Sequence, residues 1–297
     1  MAWPSDYSRR HTLAAAVERS GVGLHSGSTT RVRLEPSDQP GFRVGWLQQP
    51  ALGLQPLHPG LVHETRLCTC LRLGDQRLAT VEHLLAALAG TGLSQVDLWI
   101  EGEEIPLLDG SAAPWVDAIG EAGLQDLGPR EPLPALDGPI TLQQGSSVAV
   151  ALPSDELCLT AAIEFPQAVI GRQLYSITLT PQRFVTEIAP ARTFGFRDQV
   201  EQLRQAGLIR GGDLDNALVC DGERWLNPPL RFADEPVRHK LLDLIGDLAL
   251  AGLPRAQVIA YRGSHALHTA LAAAFASRPR AIAPEFLPLA ADRPHAA

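Results

Sequence analysis

Hydrophobic and charged residues alternate over residues 30–35. Thr30, Val32 and Leu34 fall on one side of an extended chain, and the charged residues between them fall on the other. This period of two predicts a half-buried strand. The glycine-rich turn before it, residues 21–27, has the composition of a phosphate-binding loop, but such loops open a helix and this one leads into a strand. Phosphate binding is therefore not expected there.

A helix and a second strand are predicted further along the first half. Residues 41–60 are rich in proline, glutamine and glycine, which predicts a loop or a small inserted sheet. Thr80 is suited to cap a helix over residues 81–89, which Gly90 would end. Residues 95–100 then predict a strand.

The second half repeats this plan. Strands are predicted over residues 141–152, 157–165 and 175–179. A helix is predicted from about residue 236 to residue 251, with Asp234 or Glu235 as its cap and Gly252 after its end. A strand over residues 257–261 follows.

Both predicted helices open on a similar tripeptide. Val-Glu-His ends at His83 in the first half, and Val-Arg-His ends at His239 in the second. Each helix is followed by a turn and by a strand that contains Gln-Val. The pattern predicts a duplicated strand-and-helix domain, with the two helices able to face each other across a pseudo-twofold axis.

A proline-dense stretch separates the two halves and has the composition of a linker. We expect an N-terminal α+β domain over residues 1–127, a linker over 128–138, a C-terminal α+β domain over 139–280 and a tail over 281–297.

The composition is that of a soluble globular protein with one or two domains. Hydrophobic residues make up 45% of the 297 residues and charged residues 20%, which excludes a disordered or fibrous chain. The net charge is −8, and no long run of lysine or arginine is present to neutralise a phosphate backbone. No nucleic-acid partner is expected.

The chain is expected to be cytoplasmic. No apolar stretch approaches the roughly 20 residues that span a bilayer, so no integral membrane segment is predicted, and a signal-peptide layout is lacking. The four cysteines are then expected to be reduced. Cys68 and Cys70 form a C-x-C pair without a second pair at zinc-finger spacing, so all four cysteines are interpreted as packing residues.

The second predicted helix carries a polar stripe. His239 and Asp243 are four positions apart, which stacks an imidazole and a carboxylate on one helical face. Asp247 continues the stripe by one turn. A charged stripe on a mostly apolar helix faces solvent, a partner or a metal, because a buried unpaired carboxylate is costly. The stripe alone leaves a solvated face and a metal site both open.

His83 favours the metal site over the solvated face. It lies beside Glu82 on a helix whose remainder is apolar, where a core histidine satisfied by one hydrogen bond is the alternative. At equivalent positions of a duplication, His83, His239 and Asp243 form a three-ligand set, and three protein ligands with an open position are the layout of catalytic zinc. Glu82 is placed like the base of zinc hydrolases.

Two turns carry further candidates. His265 lies in residues 263–268 after the last strand, and a turn histidine is either ordinary surface or, near a metal, a group that donates or holds a proton. Thr193 is the one hydroxyl of residues 191–196, a segment otherwise interpreted as a loop anchored by two phenylalanines.

Six motifs resemble those of one family. They are G-V-G-L-H-S-G over residues 21–27, V-E-H-L-L-A-A-L-A-G over 81–90, E-I-P-L-L-D-G-S-A over 104–112, A-R-T-F-G-F over 191–196, G-G-D-L-D-N-A over 211–217 and R-H-K-L-L-D-L-I-G-D over 238–247. The chain resembles the UDP-3-O-acyl-N-acetylglucosamine deacetylases, zinc amidases of lipid A biosynthesis, from about residue 10 to residue 275. It departs from the family pattern at Ser264, where glycine is usual, and at Asp213, where serine is frequent.

The resemblance implies two related α+β domains, each a β-sheet with two helices, packed as a β-α-α-β sandwich with a small insert in each domain. It implies one Zn²⁺ per chain on His83, His239 and Asp243, with Glu82 as general base. The implied substrate is UDP-3-O-(3-hydroxyacyl)-N-acetylglucosamine, which loses its N-acetyl group as acetate.

The resemblance also implies roles around the zinc. His265, oriented by Asp247, would stabilise charge or protonate the departing amine, and Thr193 would stabilise the oxyanion. Lys240 would touch the UDP-linked amino sugar. An insert at about residues 195–229 would form an apolar passage for the acyl chain. The side chains expected along that passage are Phe194, Phe196 and Leu203.

Two rival functions are a different zinc amidohydrolase and a nucleotide-sugar-binding protein without catalysis. Glu82 argues against the second, since a binding module has no use for a base beside a ligand histidine. The chain is expected to act as a monomer.

Overall fold

The computed structural model describes residues 2–131 and 136–277. Two five-stranded sheets and the helices between them make up most of this part of the chain, which is an α+β architecture. The fold class predicted from the family resemblance is confirmed.

Within the described residues, the first half contains ten strands and two α-helices, besides short 3₁₀ helices at Pro50–Leu52 and Pro59–Leu61. The strands are β1 (Arg9–Leu13), β2 (Val17–Val22), β3 (Thr29–Pro36), β4 (Gly41–Trp46), β5 (Gln55–Pro56), β6 (Val62–Glu64), β7 (Cys70–Leu73), β8 (Gln76–Leu78), β9 (Gln95–Glu101) and β10 (Leu124–Pro129), and the helices are α1 (Glu82–Gly90) and α2 (Ala113–Ala122).

The second half, as far as it is described, contains eight strands and four α-helices, besides a π-helix at Phe184–Ile188. The strands are β11 (Ile140–Gln144), β12 (Ser147–Pro153), β13 (Cys158–Glu164), β14 (Arg172–Thr178), β15 (Phe194–Phe196), β16 (Leu218–Asp221), β17 (Arg224–Trp225) and β18 (Ala256–Tyr261), and the helices are α3 (Pro181–Arg183), α4 (Arg197–Gln205), α5 (Glu235–Ala249) and α6 (His265–Ala276).

The two large sheets have the same topology. The first has the strand order β2-β3-β9-β4-β5 and the second has the order β11-β12-β18-β13-β14. Among the described strands of each sheet, the only parallel pair joins the third and fourth strands of that order. One helix precedes the third strand in the chain and another follows it. This repeated order agrees with the duplication predicted from the two tripeptides.

The helices α1 and α5 pack directly against each other. Every residue of α1 is buried, because α1 lies against α2 as well as α5, and its sequence is apolar on all sides apart from Glu82 and His83. On β3, Thr30, Val32 and Leu34 are buried and the residues between them are not, as the alternation predicted.

Smaller three-stranded sheets occur in each half. One is formed by β6, β7 and β8, and the other by β15, β16 and β17 together with α4. The second of these sheets coincides with the insert expected at about residues 195–229, except that it starts one residue earlier, at Phe194.

The division into domains stays a prediction. Part of the linker at 128–138 and the whole tail at 281–297 lie outside the described residues.

The predictions for residues 41–46 and for Thr80 are wrong. Residues 41–46 form β4 of the first large sheet, because Phe42, Val44 and Trp46 are buried there despite the glycines around them. Thr80 does not cap α1: its φ is +58° and its hydroxyl donates to Glu104 Oε1 at 2.9 Å.

Neither predicted cap of α5 acts as one. Asp234 stands at the N-cap position without a side-chain capping bond, and Glu235 is the first residue of the helix. Gly90 is the last residue of α1 rather than the residue after it.

A glycine permits the close contact between α1 and α5. A Cβ added at Gly246 would overlap the carbonyl oxygen of Glu82 and lie 2.7 Å from its carbonyl carbon. Because backbone atoms cannot move aside as a flexible side chain can, any larger residue would push the two helices apart.

Gly246→Ala is therefore expected to destabilise the protein by about 1–3 kcal/mol, since overpacking outweighs the better helix propensity of alanine. Urea denaturation monitored by circular dichroism measures the change. Gly120→Ala in α2 is the matched control, because its added Cβ meets only Trp3 at 4.0 Å. That variant is expected to stabilise by about 0.5–1 kcal/mol, and equal effects at both positions would contradict the helix-contact argument.

Candidate metal centre and active site

Three side chains from α1 and α5 converge at the helix contact. The Nε2 atom of His83 lies 3.7 Å from Asp243 Oδ1, and the Nε2 atom of His239 lies 3.4 Å from the same oxygen. All three side chains are buried, and Asp243 Oδ1 has no hydrogen-bond partner among the described residues. A buried, unpartnered carboxylate oxygen that faces two imidazole nitrogens fits a metal ligand set, and the three donor atoms lie within 4.8 Å of one another.

The orientation of His239 is fixed by a backbone group. Its Nδ1 donates to the carbonyl of Ala191 at 3.0 Å, which leaves Nε2 free to face Asp243. Burial lowers the pKa of His239 to about 3. The imidazole is therefore neutral at physiological pH, as a metal ligand must be.

Asp243 is held in its charged form. Burial by itself would raise the pKa of Asp243, but Lys240 and His239 more than offset that effect and keep the pKa well below its usual range. The Lys240 ammonium donates to Asp243 Oδ2 at 2.9 Å, so the second oxygen is satisfied while Oδ1 stays free.

Glu82 lies next to the ligand set and is 2% exposed. Its Oε2 accepts a hydrogen bond from the Thr69 backbone at 3.0 Å, and its Oε1 is 3.8 Å from His265 Nε2. Burial raises the pKa of Glu82 against the opposing charges of His265 and His83. A carboxylate with a raised pKa is a stronger base than an exposed one.

His265 is the first residue of α6 rather than part of an open turn. Its Nδ1 donates to Asp247 Oδ2 at 2.9 Å. Burial alone would lower the pKa of His265, but the Asp247 and Glu82 carboxylates raise it to about 9. The ring therefore carries a proton at neutral pH.

Ser264, the departure from the family pattern, fits its position. Its φ and ψ are −139° and 159°, an extended conformation that any residue adopts, and its hydroxyl accepts from Leu267 N at 3.3 Å as the cap of α6. Serine is therefore accommodated there without backbone strain.

Sequence reasoning missed two partners of Asp247. The Thr69 hydroxyl donates to Oδ1, and His268 Nδ1 donates to Oδ2 at 3.1 Å. Asp247, His265 and His268 also form a second group with donor atoms at metal-binding spacing. The signal available for His268 was its position three residues after His265, which places both on one face once the segment is known to be helical.

The segment with Thr193 lies against the ligand set. Its Ala191 carbonyl holds His239, and the Phe194 ring lies 6.5 Å from the His239 ring, nearly perpendicular to it. Lys240 Nζ stands 5.8 Å from the centre of the Phe194 ring. The segment that carries Thr193 therefore lies beside His239 and Lys240.

Phe194 and Phe196 belong to an aromatic cluster with Phe165. The centre of the Phe165 ring lies 5.5 Å from the ring centres of both Phe194 and Phe196, and those two centres are 6.2 Å apart. Leu203 is half-buried on α4. The cluster is an apolar surface beside His239.

The cysteines are free, as predicted. Cys68 and Cys70 are buried, and burial raises the pKa of Cys70 to about 11, so neither offers a thiolate at neutral pH. The candidate metal groups found in the described part of the chain contain no cysteine.

None of the helices in the described residues combines the length and the apolar character that crossing a membrane requires.

Comparison with known proteins gives a consistent result. The family described as LpxC, UDP-3-O-acyl N-acetylglycosamine deacetylase, matches residues 10–277. The UDP-3-O-acyl-N-acetylglucosamine deacetylase of Thermosynechococcus vestitus is 48% identical over 91% of this chain and 94% of its own length. That of Nostoc sp. is 47% identical, with coverages of 89% and 97%. A relative from Arabidopsis thaliana, named "Probable UDP-3-O-acyl-N-acetylglucosamine deacetylase 1, mitochondrial", is 40% identical, with coverages of 89% and 86%.

Proposed function

The chain belongs to the UDP-3-O-acyl N-acetylglycosamine deacetylase family, and we propose that it removes the acetyl group with one Zn²⁺ held by His83, His239 and Asp243. Deacetylation of UDP-3-O-acyl-N-acetylglucosamine is the committed step of lipid A biosynthesis, and it is the function of this chain. The observation that carries the zinc proposal is the unpartnered Asp243 Oδ1, which faces the Nε2 atoms of both histidines.

Zinc, when bound, supplies Lewis acidity, which lowers the pKa of water toward about 7 and polarises a carbonyl. Glu82 removes the proton of the attacking water, a role supported by its raised pKa and its position beside His83. When the amide bond breaks, the nitrogen of the amino sugar must be protonated to leave as an amine. His265 supplies that proton or stabilises the developing charge, and Asp247 keeps its ring oriented and its pKa high.

Thr193 and Lys240 act on the substrate. The Thr193 hydroxyl stabilises the oxyanion of the tetrahedral intermediate, which is supported by the placement of its segment against His239. Lys240, still partly exposed beside Phe194, contacts the UDP-linked sugar.

The acyl chain follows the aromatic cluster into the insert of residues 195–229. Phe194 and Phe196 give an apolar wall next to His239, and α4, which carries Leu203, packs against the strand of these two phenylalanines. We further propose that the enzyme acts as a cytoplasmic monomer on this acylated UDP-sugar, with no nucleic-acid partner.

Shortening the acyl chain is expected to lower kcat/KM about fourfold for each methylene removed, because each buried methylene contributes about 0.8 kcal/mol. Leu203→Gln is expected to flatten that dependence without changing the zinc content. Leu174→Gln is the control, since this leucine is 67% exposed on β14. Equal kcat/KM with and without the acyl chain would exclude the passage.

The proposed function is tested by acetate release from UDP-3-O-acyl-N-acetylglucosamine together with metal analysis of the purified protein. We expect stoichiometric acetate and one zinc per chain. A nucleotide-sugar-binding protein would bind the substrate without releasing acetate. A different amidohydrolase would deacetylate simple acetamides as fast as the UDP-sugar.

A further inference from the structure

Glu235 is a fully buried carboxylate that the mechanism above does not use. It begins α5 and is 0% exposed. Its Oε1 accepts from the backbone N of Arg192 at 3.0 Å and from Arg192 Nε at 2.8 Å. Its Oε2 accepts from Arg192 Nη2 at 3.2 Å and from the backbone N of Arg231 at 2.6 Å. Both oxygens thus bind Arg192, which lies in one short piece of chain, and Oε2 binds the Arg231 backbone as well.

That piece, residues 190–193, is called the strap here. The carbonyl of Ala191 orients His239, and the backbone N of Thr193 donates to Gly110 O at 2.8 Å. Arg192 lies between these two residues and is held by Glu235 through its main chain as well as its side chain. Displacing Arg192 would therefore move the peptide groups on either side of it.

A second arginine ties the start of the strap to the first half of the chain. Arg231 Nη1 donates to Pro190 O at 2.8 Å and to Ser111 Oγ at 3.2 Å, and its Nη2 donates to Asp109 Oδ2 at 2.8 Å. Its backbone N is held by Glu235. One carboxylate thus anchors both arginines that fix the strap.

Stability alone does not call for such an arrangement. Apolar side chains of similar volume often stabilise a protein as well as a buried ion pair does. A two-pronged arginine–carboxylate contact that also binds backbone N–H groups gives instead a single, well-defined geometry. Geometry of this kind matters where a shift of about 1 Å costs catalysis.

We propose that Glu235 is a positioning residue that, through Arg192, sets the place of the Thr193 hydroxyl. This inference rests on the proposed function, because it assumes that Thr193 stabilises the oxyanion.

The test is a double-mutant cycle between Glu235→Gln and Thr193→Ala, with kcat, KM and zinc content measured for each variant. Glu235→Gln alone is expected to lower kcat about tenfold or more, with KM within about threefold of wild type. In the Thr193→Ala background the same change is expected to cost about threefold or less, because the hydroxyl it positions is gone. Zinc content is expected to stay at one per chain.

The control variant is Asp97→Asn. Asp97 accepts two bonds from Arg43, at 2.8 and 2.7 Å, on the first large sheet. Loss of that ion pair is expected to lower the melting temperature and leave kcat unchanged. Glu235→Gln would give the same result if the role of Glu235 were purely structural. If Glu235→Gln fails to fold, Arg192→Lys replaces it in the double-mutant cycle with Thr193→Ala. Lysine keeps the positive charge but does not form the two-pronged contact with Glu235.

The outcomes separate the two proposals. Equal kcat losses from Glu235→Gln with and without Thr193, or an unchanged kcat in Thr193→Ala alone, overturn the positioning role and leave the deacetylase function standing. A wild-type protein that releases no acetate overturns the proposed function, and the inference falls with it.

Discussion

Asp243→Ala is expected to remove the zinc and the deacetylase activity together. The variant deletes the oxygen that faces both His83 Nε2 and His239 Nε2, and two histidines alone leave zinc one protein ligand short of the usual catalytic set. It also leaves the Lys240 ammonium, which donates to Asp243 in the wild type, without its carboxylate. His83→Ala is expected to give the same loss without disturbing Lys240, so the pair of variants separates ligand loss from a new unpaired charge. Metal analysis after dialysis and the acetate assay measure both effects.

The second donor group supplies the control for this experiment. His268 lies with Asp247 and His265, where the donor atoms also have metal-binding spacing. If zinc binds between α1 and α5, His268→Ala retains one zinc per chain. Loss of zinc in His268→Ala, combined with full occupancy in Asp243→Ala, would place the metal in the second group and contradict the proposed ligand set.

The duplication was accessible from sequence because it leaves a local signature. The tripeptides that end at His83 and His239 mark helices that precede the central strands of two sheets with the same order. The four-residue spacing of His239 and Asp243 is likewise a property of one helix. Local periodicity and a repeated motif were thus sufficient to bring the three candidate ligands together, and the structure groups them as one donor set.

Long-range contacts account for what the sequence did not show. Thr80 has the composition of a cap, but its hydroxyl is used by Glu104, 24 positions away. Glu235 has the appearance of an ordinary first-turn acid, yet it binds Arg192, 43 positions away. Thr69 meets Asp247 from the opposite half of the chain. None of these partners has a local pattern that singles it out.

Two segments were misjudged for a different reason. Residues 41–46 contain glycines that suggest a loop, but tertiary burial of the alternate apolar residues outweighs that weak local preference. The sequence predicts a turn at His265, after the last strand, whereas Ser264 acts as a helix cap and His265 begins α6. A serine followed by an apolar helical pattern is the signal that was available there.

Glu82→Ala is expected to keep the zinc and lose turnover. Glu82 is absent from the ligand set, so its removal leaves His83, His239 and Asp243 in place, while the water loses the group that takes its proton. General-base removal commonly lowers the rate by about 10²–10⁴. Glu82→Gln is the closer test, because it keeps the volume and an acceptor for Thr69 N but no longer takes up a proton.

The two variants together distinguish a base from a structural acid. If Glu82 served only to hold Thr69, Glu82→Gln would restore most of the activity lost in Glu82→Ala, because an amide oxygen still accepts that hydrogen bond. As a base, glutamine is no better than alanine, and kcat is expected to stay low in both with zinc at one per chain. A loss of less than about tenfold in either variant would remove Glu82 from the role, since a base contributes at least about a hundredfold.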